Sequence, residues 1–297
     1  MGTAEQLRLA QISLKNILFA TDFSPGSLRA YPFAAEISHR CGGKVFVAHI
    51  LPANDSAAVP QSEQACLNKL SQAAAEAGFK DPQGRVPEIP HEVFFDHGDI
   101  CARLLATADR CKIDLIVIGT HGWRGIRKLL KGSTAEEVAC LATRPVLTVG
   151  PRVSRRLDFK RILYATDFMP AGMGALPYVL SLSQIYFADL LVLHVDDWNS
   201  QESPVEAASK ASKFLRQYLS EYPDRRMAER TEVVLDFGPR ADLILEHAAN
   251  WQADLIVLGL HHSDRLKARI AAHIPGSTVY EVISQAPCPV LTVPLPK

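Results

Sequence analysis

The sequence has no surplus of charge of either sign and no long apolar run. Its 32 Lys and Arg residues are balanced by 32 Asp and Glu residues, whereas proteins that bind the phosphate backbone of nucleic acids usually carry a basic surplus. No apolar run approaches the roughly 18 residues that a membrane-spanning helix needs. Nucleic acid and membrane are therefore not expected as partners.

Paired cysteine motifs and a targeting segment are also missing. The six cysteines fall five to one between the two halves of the chain and form no CxxC pair, which argues against a secreted disulfide framework or a zinc ribbon. The N-terminal stretch MGTAEQLRLAQISLKN has neither the apolar segment nor the cleavage site of a signal peptide. We expect reduced thiols in a cytoplasmic protein.

The chain contains the same pattern twice. With 297 residues, 47% of them hydrophobic and 22% charged, it has the composition of about two globular domains. Five segments recur in one order, 145, 145, 140, 144 and 144 residues apart. They are KNILFATDFSP (15–25) and KRILYATDFMP (160–170), KVFVAHI (44–50) and DLLVLHV (189–195), DLIVIG (114–119) and DLIVLG (254–259), GST (132–134) and GST (276–278), and RPVLTV (144–149) and CPVLTV (288–293). This is a tandem duplication, joined by a linker at 150–159.

Each half alternates short apolar runs with helical stretches. Continuous apolar runs of four to eight residues are typical of strands buried on both faces of a parallel sheet. Five such strands are predicted per half, and the alternation predicts an α/β layer fold with right-handed crossovers. The predicted helices cover 27–41, 61–78 and 98–111 in the first half and 175–187, 204–222 and 238–251 in the second.

A glycine-rich turn follows the strand DLIVI in the first half. Gly119 ends the strand, Gly122 lies in the turn, and Gly132 precedes a helix start. Backbone amides and a helix N-terminus at such a place favour anions, and glycine lets a phosphate approach the backbone. Each glycine also has a purely structural interpretation, as a strand terminator or a helix start. The P-loop and GxGxxG motifs are absent.

Hydroxyl side chains accompany the predicted helix start. Ser133 and Glu136, like Thr134 and Glu137, have the spacing of a capping box, and the same hydroxyls can donate to a phosphate. The second half retains a comparable pair, Thr278 and Glu281, after its own glycine.

These motifs together resemble the universal stress protein family. The spacing Gly119-x2-Gly122-x9-Gly132-Ser133 resembles the ATP-binding pattern of that family, ATDFSP (20–25) its first motif and VAHI (47–50) its second strand. The resemblance covers essentially the whole chain, twice. It implies two doubly wound, Rossmann-like (HUP-type) domains, 1–151 and 152–297, each with five strands in the order 3-2-1-4-5.

The resemblance also implies an ATP site in the first domain, with Mg²⁺ accompanying the nucleotide. Ligands of such sheets bind where the winding reverses, outside the carboxyl ends of strands. When the ligand contacts of the family are transferred to the matching positions of this sequence, Ala20 and Asp22 lie along the adenosine and Asp22 accepts a hydrogen bond from a ribose hydroxyl. Ile50 then presents backbone atoms to adenine. The implied phosphate ligands are Gly119, Gly122, Gly132, Ser133 and Thr134. An alternative for Asp22, and for Asp167 at the matching position, is a turn with its own backbone.

The second half departs from the pattern. His262 replaces the second glycine, and thirteen residues rather than nine separate it from Gly276. We therefore expect the second domain to bind no ATP, or to bind it much more weakly. His261, His262 and His273 are expected to be loop residues rather than metal ligands. His49 and His194 are expected to be packed and hydrogen-bonded.

A cytoplasmic, ATP-binding stress-response module is the function that this resemblance implies. Neither a positioned general base nor a Walker lysine is apparent, so catalysis is not expected beyond weak ATP hydrolysis. A nucleotide-independent interaction protein and a slow ATPase remain open as alternatives. The apolar fifth strands would be exposed edges, so Val146–Val149 is expected to face Val290–Val293 in an intramolecular pseudo-dimer. The protein partner and a homodimer are left open.

Overall fold

The computed structural model describes residues 12–52, 62–120, 134–153, 156–196, 203–214, 217, 226–260 and 277–295. Of the implied ligands, Gly122, Gly132 and Ser133 lie outside these residues, as do His261, His262, His273 and Gly276 of the second half.

Ten strands form one sheet in the order β3-β2-β1-β4-β5-β10-β9-β6-β7-β8. Each half therefore has the order 3-2-1-4-5 that the resemblance implied, and all pairs within a half are parallel. In the first half the strands are β1 (Asn16–Ala20), β2 (Lys44–Leu51), β3 (His91–His97), β4 (Leu115–Gly119) and β5 (Val146–Val149). In the second half they are β6 (Arg161–Ala165), β7 (Asp189–Asp196), β8 (Thr231–Phe237), β9 (Leu255–Leu260) and β10 (Val290–Pro294).

Helices cover both faces of the sheet. Those of the first half are α1 (Pro25–Leu28), α2 (Tyr31–Cys41), α3 (Glu63–Glu76), α4 (Ile100–Arg110) and α5 (Thr134–Leu141). Those of the second half are α6 (Pro170–Gly174), α7 (Leu176–Tyr186), α8 (Pro204–Phe214), α9 (Arg226–Glu229), α10 (Arg240–Asn250) and α11 (Thr278–Gln285). None of the helices in the described ranges is long and apolar enough to cross a membrane.

The sheet separates two apolar cores, because alternate residues of each strand point to opposite faces. Ile17 and Phe19 face one core, with residues of α2, α3 and α7. Leu18 and Ala20 face the other, with residues of α4, α5, α10 and α11. Burial on both faces explains why the eight inner strands are largely continuous apolar runs, whereas the outer strands β3 and β8 are only partly buried and contain charged residues.

The two halves join through their fifth strands. β5 pairs antiparallel with β10, with Val146 opposite Thr292, Leu147 opposite Leu291 and Thr148 opposite Val290. The expected pairing of Val146–Val149 with Val290–Val293 is thus confirmed. It buries two apolar edges that would otherwise template aggregation.

Two details of the helices differ from expectation. The predicted helix 27–41 is split into α1 and α2, because Pro25 begins a one-turn helix and Pro32 lies in the first turn of the next, where its missing amide costs nothing. The predicted helix 175–187 corresponds to α7, and the one-turn helix α6, which begins at Pro170, precedes it and was not predicted.

The expectation that Thr278 caps a helix is wrong. Thr278 is the first residue of α11, and the cap is Ser277, whose hydroxyl accepts from the amide of Tyr280 at 3.3 Å. Thr134 likewise is the first residue of α5.

Candidate functional site

The carboxyl ends of three strands meet at the point where the winding of the first half reverses. β1 lies between β2 and β4, and Ala20 is level with Ala48 on one side and Ile118 on the other. Gly119 follows Ile118 directly. The register therefore brings Ala20, Gly119 and the end of β2 to one edge of the sheet, which is the place where open α/β sheets bind ligands.

The main chain of Ile50 points past the end of β1. Along β2 the backbone groups alternate in direction: the carbonyl of Ala48 accepts from the amide of Thr21 at 3.0 Å, and that of Leu51 accepts from Gly98 beyond β3 at 2.8 Å. The amide and carbonyl of Ile50 therefore face the β1 side, one step beyond the last β1–β2 pair. They are placed to meet the edge of a planar group lying over β1.

Asp22 forms a turn with its own backbone. Its Oδ1 accepts from the amide of Ser24 at 2.9 Å, and Oδ1 of Asp167 accepts from the amide of Met169 at the same distance. Both aspartates are exposed at the ends of their strands. The local turn is thus present in both halves, and it does not distinguish one half from the other.

Gly119 has a structural role that the sequence did not reveal. A Cβ on Gly119 would lie 2.6 Å from the carbonyl oxygen of Gly26 and 2.8 Å from Cα of Ser27, because the backbone of α1 packs on the strand end. On Gly259 of the second half, a Cβ would lie 2.1 Å from the carbonyl oxygen of Ala171. Close approach of the protein's own backbone is sufficient reason for glycine at both positions.

A cluster of buried hydroxyls supports α1 in the first half. Oγ1 of Thr21 lies 3.0 Å from Oγ of Ser27, and Oγ of Ser24 caps α1 by accepting from the amide of Ser27 at 3.2 Å. The second half has Met169 and Gly172 in place of these serines, and Met169 makes no side-chain cap. In the sequence, this hydroxyl cluster could have been recognised from Ser24 and Ser27 in the stretch SPGS (24–27).

His49 and His194 are packed and hydrogen-bonded, as expected. Nδ1 of each ring lies 2.8 Å from the carbonyl oxygen of Thr21 or Thr166, so it is the protonated nitrogen that donates. Both side chains are buried. They tie the end of each second strand to the turn after the first strand.

The phosphate end of the implied site is described only at its last residue. Thr134 is half-buried at the start of α5, and α5 packs against β5 and α4. Gly122, Gly132 and Ser133 lie outside the described residues. The structure therefore brings together Ala20, Asp22, Ile50 and Gly119 at the strand ends, and it describes Thr134 as the first residue of α5.

A separate cleft of about 600 Å³ lies beside α1. It is lined by α1, the start of α2, α3 and the linker after β5, with Phe23, Lys69 and Leu157 among its walls. It does not include the strand-end residues Ala20 or Ile50. The candidate site lies at the strand ends, because main-chain groups and Asp22 converge there.

The equivalent strand ends of the second half have a different arrangement of charges. Nη2 of Arg240 lies 3.6 Å from Oδ1 of Asp196, whose side chain is only 9% exposed. Nε2 of His247 lies 2.8 Å from Oδ2 of Asp236, and this hydrogen bond lowers the pKa of the Asp236 carboxyl, assisted by the amide of Phe237 and opposed by desolvation.

Comparisons with known proteins agree with this architecture. The model of the Universal stress protein family matches residues 13–150 and again residues 158–294. The chain is 22% identical to a universal stress protein of Synechocystis sp., over 94% of this chain and 99% of that one. It is 31% identical to universal stress protein A homolog 1 of Coxiella burnetii, over 46% of this chain and 95% of that one. The crystal structure of a universal stress protein from Archaeoglobus fulgidus superposes with a TM-score of 0.68 at 22% identity, covering 94% of this chain and 98% of that one.

Proposed function

The chain belongs to the universal stress protein family, and from that premise we propose that its first half binds ATP, as part of a cytoplasmic stress-response module. The second half is proposed to bind no ATP, or to bind it much more weakly.

The observation that carries this proposal is the convergence of three features at the switch point of the first half. The backbone of Ile50 faces the space beyond β1, Asp22 stands exposed at the end of β1, and Gly119 ends the neighbouring strand β4. A ligand lying across these ends meets a main-chain donor and acceptor first, and then a carboxylate.

Each residue has a chemical task in this proposal. The amide and carbonyl of Ile50 would pair with the edge of adenine, against the apolar surface of Ala20, and the carboxylate of Asp22 would accept from a ribose hydroxyl. Beyond Gly119, the amides and hydroxyls of the 122–134 segment, including Gly122, Gly132, Ser133 and Thr134, would bind the phosphates. Mg²⁺ would accompany the triphosphate and supply charge neutralisation there.

The expected affinity is within reach of such contacts. A dissociation constant of about 1 μM corresponds to roughly −8 kcal/mol. Hydrogen bonds to charged groups contribute about 1.5–3 kcal/mol each, so a few phosphate contacts with the burial of adenine are sufficient to exceed the cost of ordering the ligand.

Two of these features also suit a second candidate, a nucleotide-independent interaction protein. The packing of α1 alone accounts for Gly119, and the Asx turn alone accounts for a carboxylate at Asp22. Both features recur in the second half at Gly259 and Asp167. The two candidates differ in whether the first half has any affinity for ATP.

Binding rather than turnover is the proposed activity. No residue at the strand ends is assigned a catalytic role, and His49, whose Nδ1 donates to the carbonyl of Thr21, is buried. Hydrolysis would be weak and would depend on the bound metal ion.

A calorimetric titration of nucleotide-stripped protein with Mg-ATP tests the proposal. One site per chain is expected, and Gly122→Val should abolish it, since a branched side chain would obstruct the approach of phosphate to the backbone. Two sites would contradict the asymmetry between the halves, and an absence of binding would favour the interaction protein.

Comparing Asp22→Ala with Asp167→Ala distinguishes the role of Asp22 in the local turn from its proposed role in ATP binding. Both variants lose the same backbone hydrogen bond and should lose similar stability, about 1 kcal/mol. Only Asp22→Ala should also weaken Mg-ATP binding, by about 10- to 100-fold, the equivalent of about 1.5–3 kcal/mol. Equal ATP affinity in the two variants would remove Asp22 from the site.

A further inference from the structure

We propose that the residue at the start of the helix following the third strand, Ile100 in one half and Arg240 in the other, decides whether that half accepts a purine base. This inference rests on the proposed function, because it names the residue that makes the base end of the first site selective. The base end is defined here as Ile50–Leu51 with Gly98–Ile100, and its counterpart as Val195–Asp196 with Gly238–Arg240.

The backbone places the two residues equivalently. The amide of Gly98 donates to the carbonyl of Leu51 at 2.8 Å, and the amide of Gly238 donates to the carbonyl of Asp196 at 2.9 Å. Both glycines have a positive φ, 133° and 152°, and in both halves the helix begins two residues later. Any difference between the base ends therefore comes from side chains rather than from the course of the chain.

In the base end of the first half, the two side chains at the positions of Asp196 and Arg240, Leu51 and Ile100, are apolar. Asp99 is charged but caps α4, and Arg103, beside Gly98, lies 3.7 Å from Asp96. Ile100 is half-buried and packs against the core that contains Ala20, Ile50 and Ile118. Leu51 is buried at 7% exposure. A flat heteroaromatic ring placed against the Ile50 backbone would thus meet aliphatic surface, which is the usual lining of small-molecule sites.

The base end of the second half has an ion pair in the same place. Arg240 occupies the position of Ile100 and Asp196 that of Leu51, with Nη2 and Oδ1 3.6 Å apart. The carboxylate side chain is 9% exposed and the guanidinium 49%. A ring entering there would have to separate the guanidinium from a carboxylate that is largely removed from water, and such separation is strongly unfavourable.

This difference is independent of the glycine loops. The backbone of Val195 faces the β6 side as Ile50 faces the β1 side, because the carbonyl of Leu193 accepts from Thr166 and that of Asp196 from Gly238. The second half thus retains the main-chain groups for a base and differs in the side chains around them. The contrast concerns the nucleoside, so adenosine, which has no phosphate, is the appropriate probe.

The test is a titration of nucleotide-stripped protein with adenosine and, separately, with Mg-ATP. Ile100→Arg should lower the affinity of the first half for both ligands at least about tenfold, because a charge is brought to an apolar contact. Ala106→Arg is the matched control, since it adds the same charge to the exposed face of the same helix. It should leave both affinities within about twofold, and thermal melts confirm that both variants fold.

The reciprocal variant removes the ion pair. Asp196→Leu with Arg240→Ile gives the second half the residues of the first, and the number of adenosine sites per chain should rise from one to two. Ile100→Arg binding adenosine like the wild type would overturn the inference and leave the proposed ATP function intact. A wild-type protein that binds neither ligand would overturn the proposed function, and the inference with it.

Discussion

Leu147 of β5 lies directly opposite Leu291 of β10, at the centre of the three residue pairs that join the two halves. Both side chains belong to the same apolar core, at 1% and 3% exposure. Hydroxyls bracket them symmetrically, since Thr148 donates to the carbonyl of Val290 and Thr292 to that of Val146, each at 3.2 Å. The two halves therefore meet as parts of one core rather than as docked surfaces.

Truncating either leucine should destabilise the whole chain. Leu147→Ala or Leu291→Ala should each cost about 2–5 kcal/mol of unfolding free energy in urea denaturation. Because the two side chains are cross-strand neighbours, the double variant should show a coupling energy of about 0.5–3 kcal/mol. Leu147→Ala combined with Leu191→Ala, on the opposite face of the sheet, should be additive within about 0.5 kcal/mol. Additive effects of Leu147→Ala and Leu291→Ala would contradict the shared core.

Adding a single methyl group to Gly119 should disturb α1. The Cβ of Gly119→Ala would lie 2.6 Å from the carbonyl oxygen of Gly26, and relief of such overpacking typically costs about 1–3 kcal/mol. Gly150→Ala is the control, because its Cβ would meet nothing closer than 3.6 Å, at Oγ1 of Thr120. Thermal denaturation compares the two variants directly. Equal melting temperatures would show that α1 can shift to accommodate the added methyl group at little cost in stability.

The cap of α1 can be tested by removal in one half and addition in the other. Ser24→Ala removes the hydroxyl that accepts from the amide of Ser27 and should cost about 0.5–2 kcal/mol. Met169 has the extended backbone of a cap residue, φ −83° and ψ 168°, but no side-chain bond. Met169→Ser should therefore stabilise the protein by up to about 1 kcal/mol. Chemical denaturation should show opposite signs, and a loss in both variants would refute the equivalence.

The contact between Tyr31 and His91 should make stability depend on pH. Nε2 of His91 lies 2.8 Å from the Tyr31 hydroxyl, and burial lowers the pKa of His91 despite the opposing hydrogen bond to the backbone of Ile89. The folded state thus binds this proton less readily than the unfolded state, so stability is full above the ordinary histidine pKa of about 6.5 and falls at lower pH.

His91→Gln isolates this contribution, because the other nine histidines are common to both proteins. Urea denaturation between pH 5 and 8 should show a smaller loss of stability on acidification in the variant than in the wild type. A steeper loss in the variant would reverse the sign and show that protonated His91 is the better partner of Tyr31.

The sequence predicted the layout of the fold well, because its signals were local and repeated. Apolar runs placed four strands in each half, and the duplicated motifs placed them in two sets. The third strands, β3 and β8, were counted but not located, because their sequences mix apolar with charged residues. The break between α1 and α2 was missed, since Pro32 fits the first turn of a helix as readily as it interrupts one. The cap at Ser277 was misplaced by one residue, because adjacent Ser and Thr are both good caps.

The chemistry of the site was less predictable, because it depends on contacts distant in sequence. Glycine is equally suited to a close approach of the backbone and to a bound phosphate. The presence of Gly119 in the sequence therefore could not show that α1 packs against it. Arg240 and Asp196 are far apart in the chain, and only the meeting of β7 with the start of α10 shows that they form a pair. The approach of the Ile50 backbone to the space beyond β1 likewise needed the strand register.

The antiparallel pairing of β5 with β10 determines where the carboxyl ends of the two sets of strands lie. Because β5 and β10 run in opposite directions and all strands within each half are parallel, the carboxyl ends of the two sets of strands lie on opposite edges of the sheet at the joint. The eight residues of β2 span about 26 Å at the usual rise per residue, which sets the scale of the separation. Because ATP is proposed to bind at the strand ends of the first half only, one edge of the sheet would change with nucleotide binding and the other would not. A partner that contacts both edges would sense the nucleotide through the first half alone.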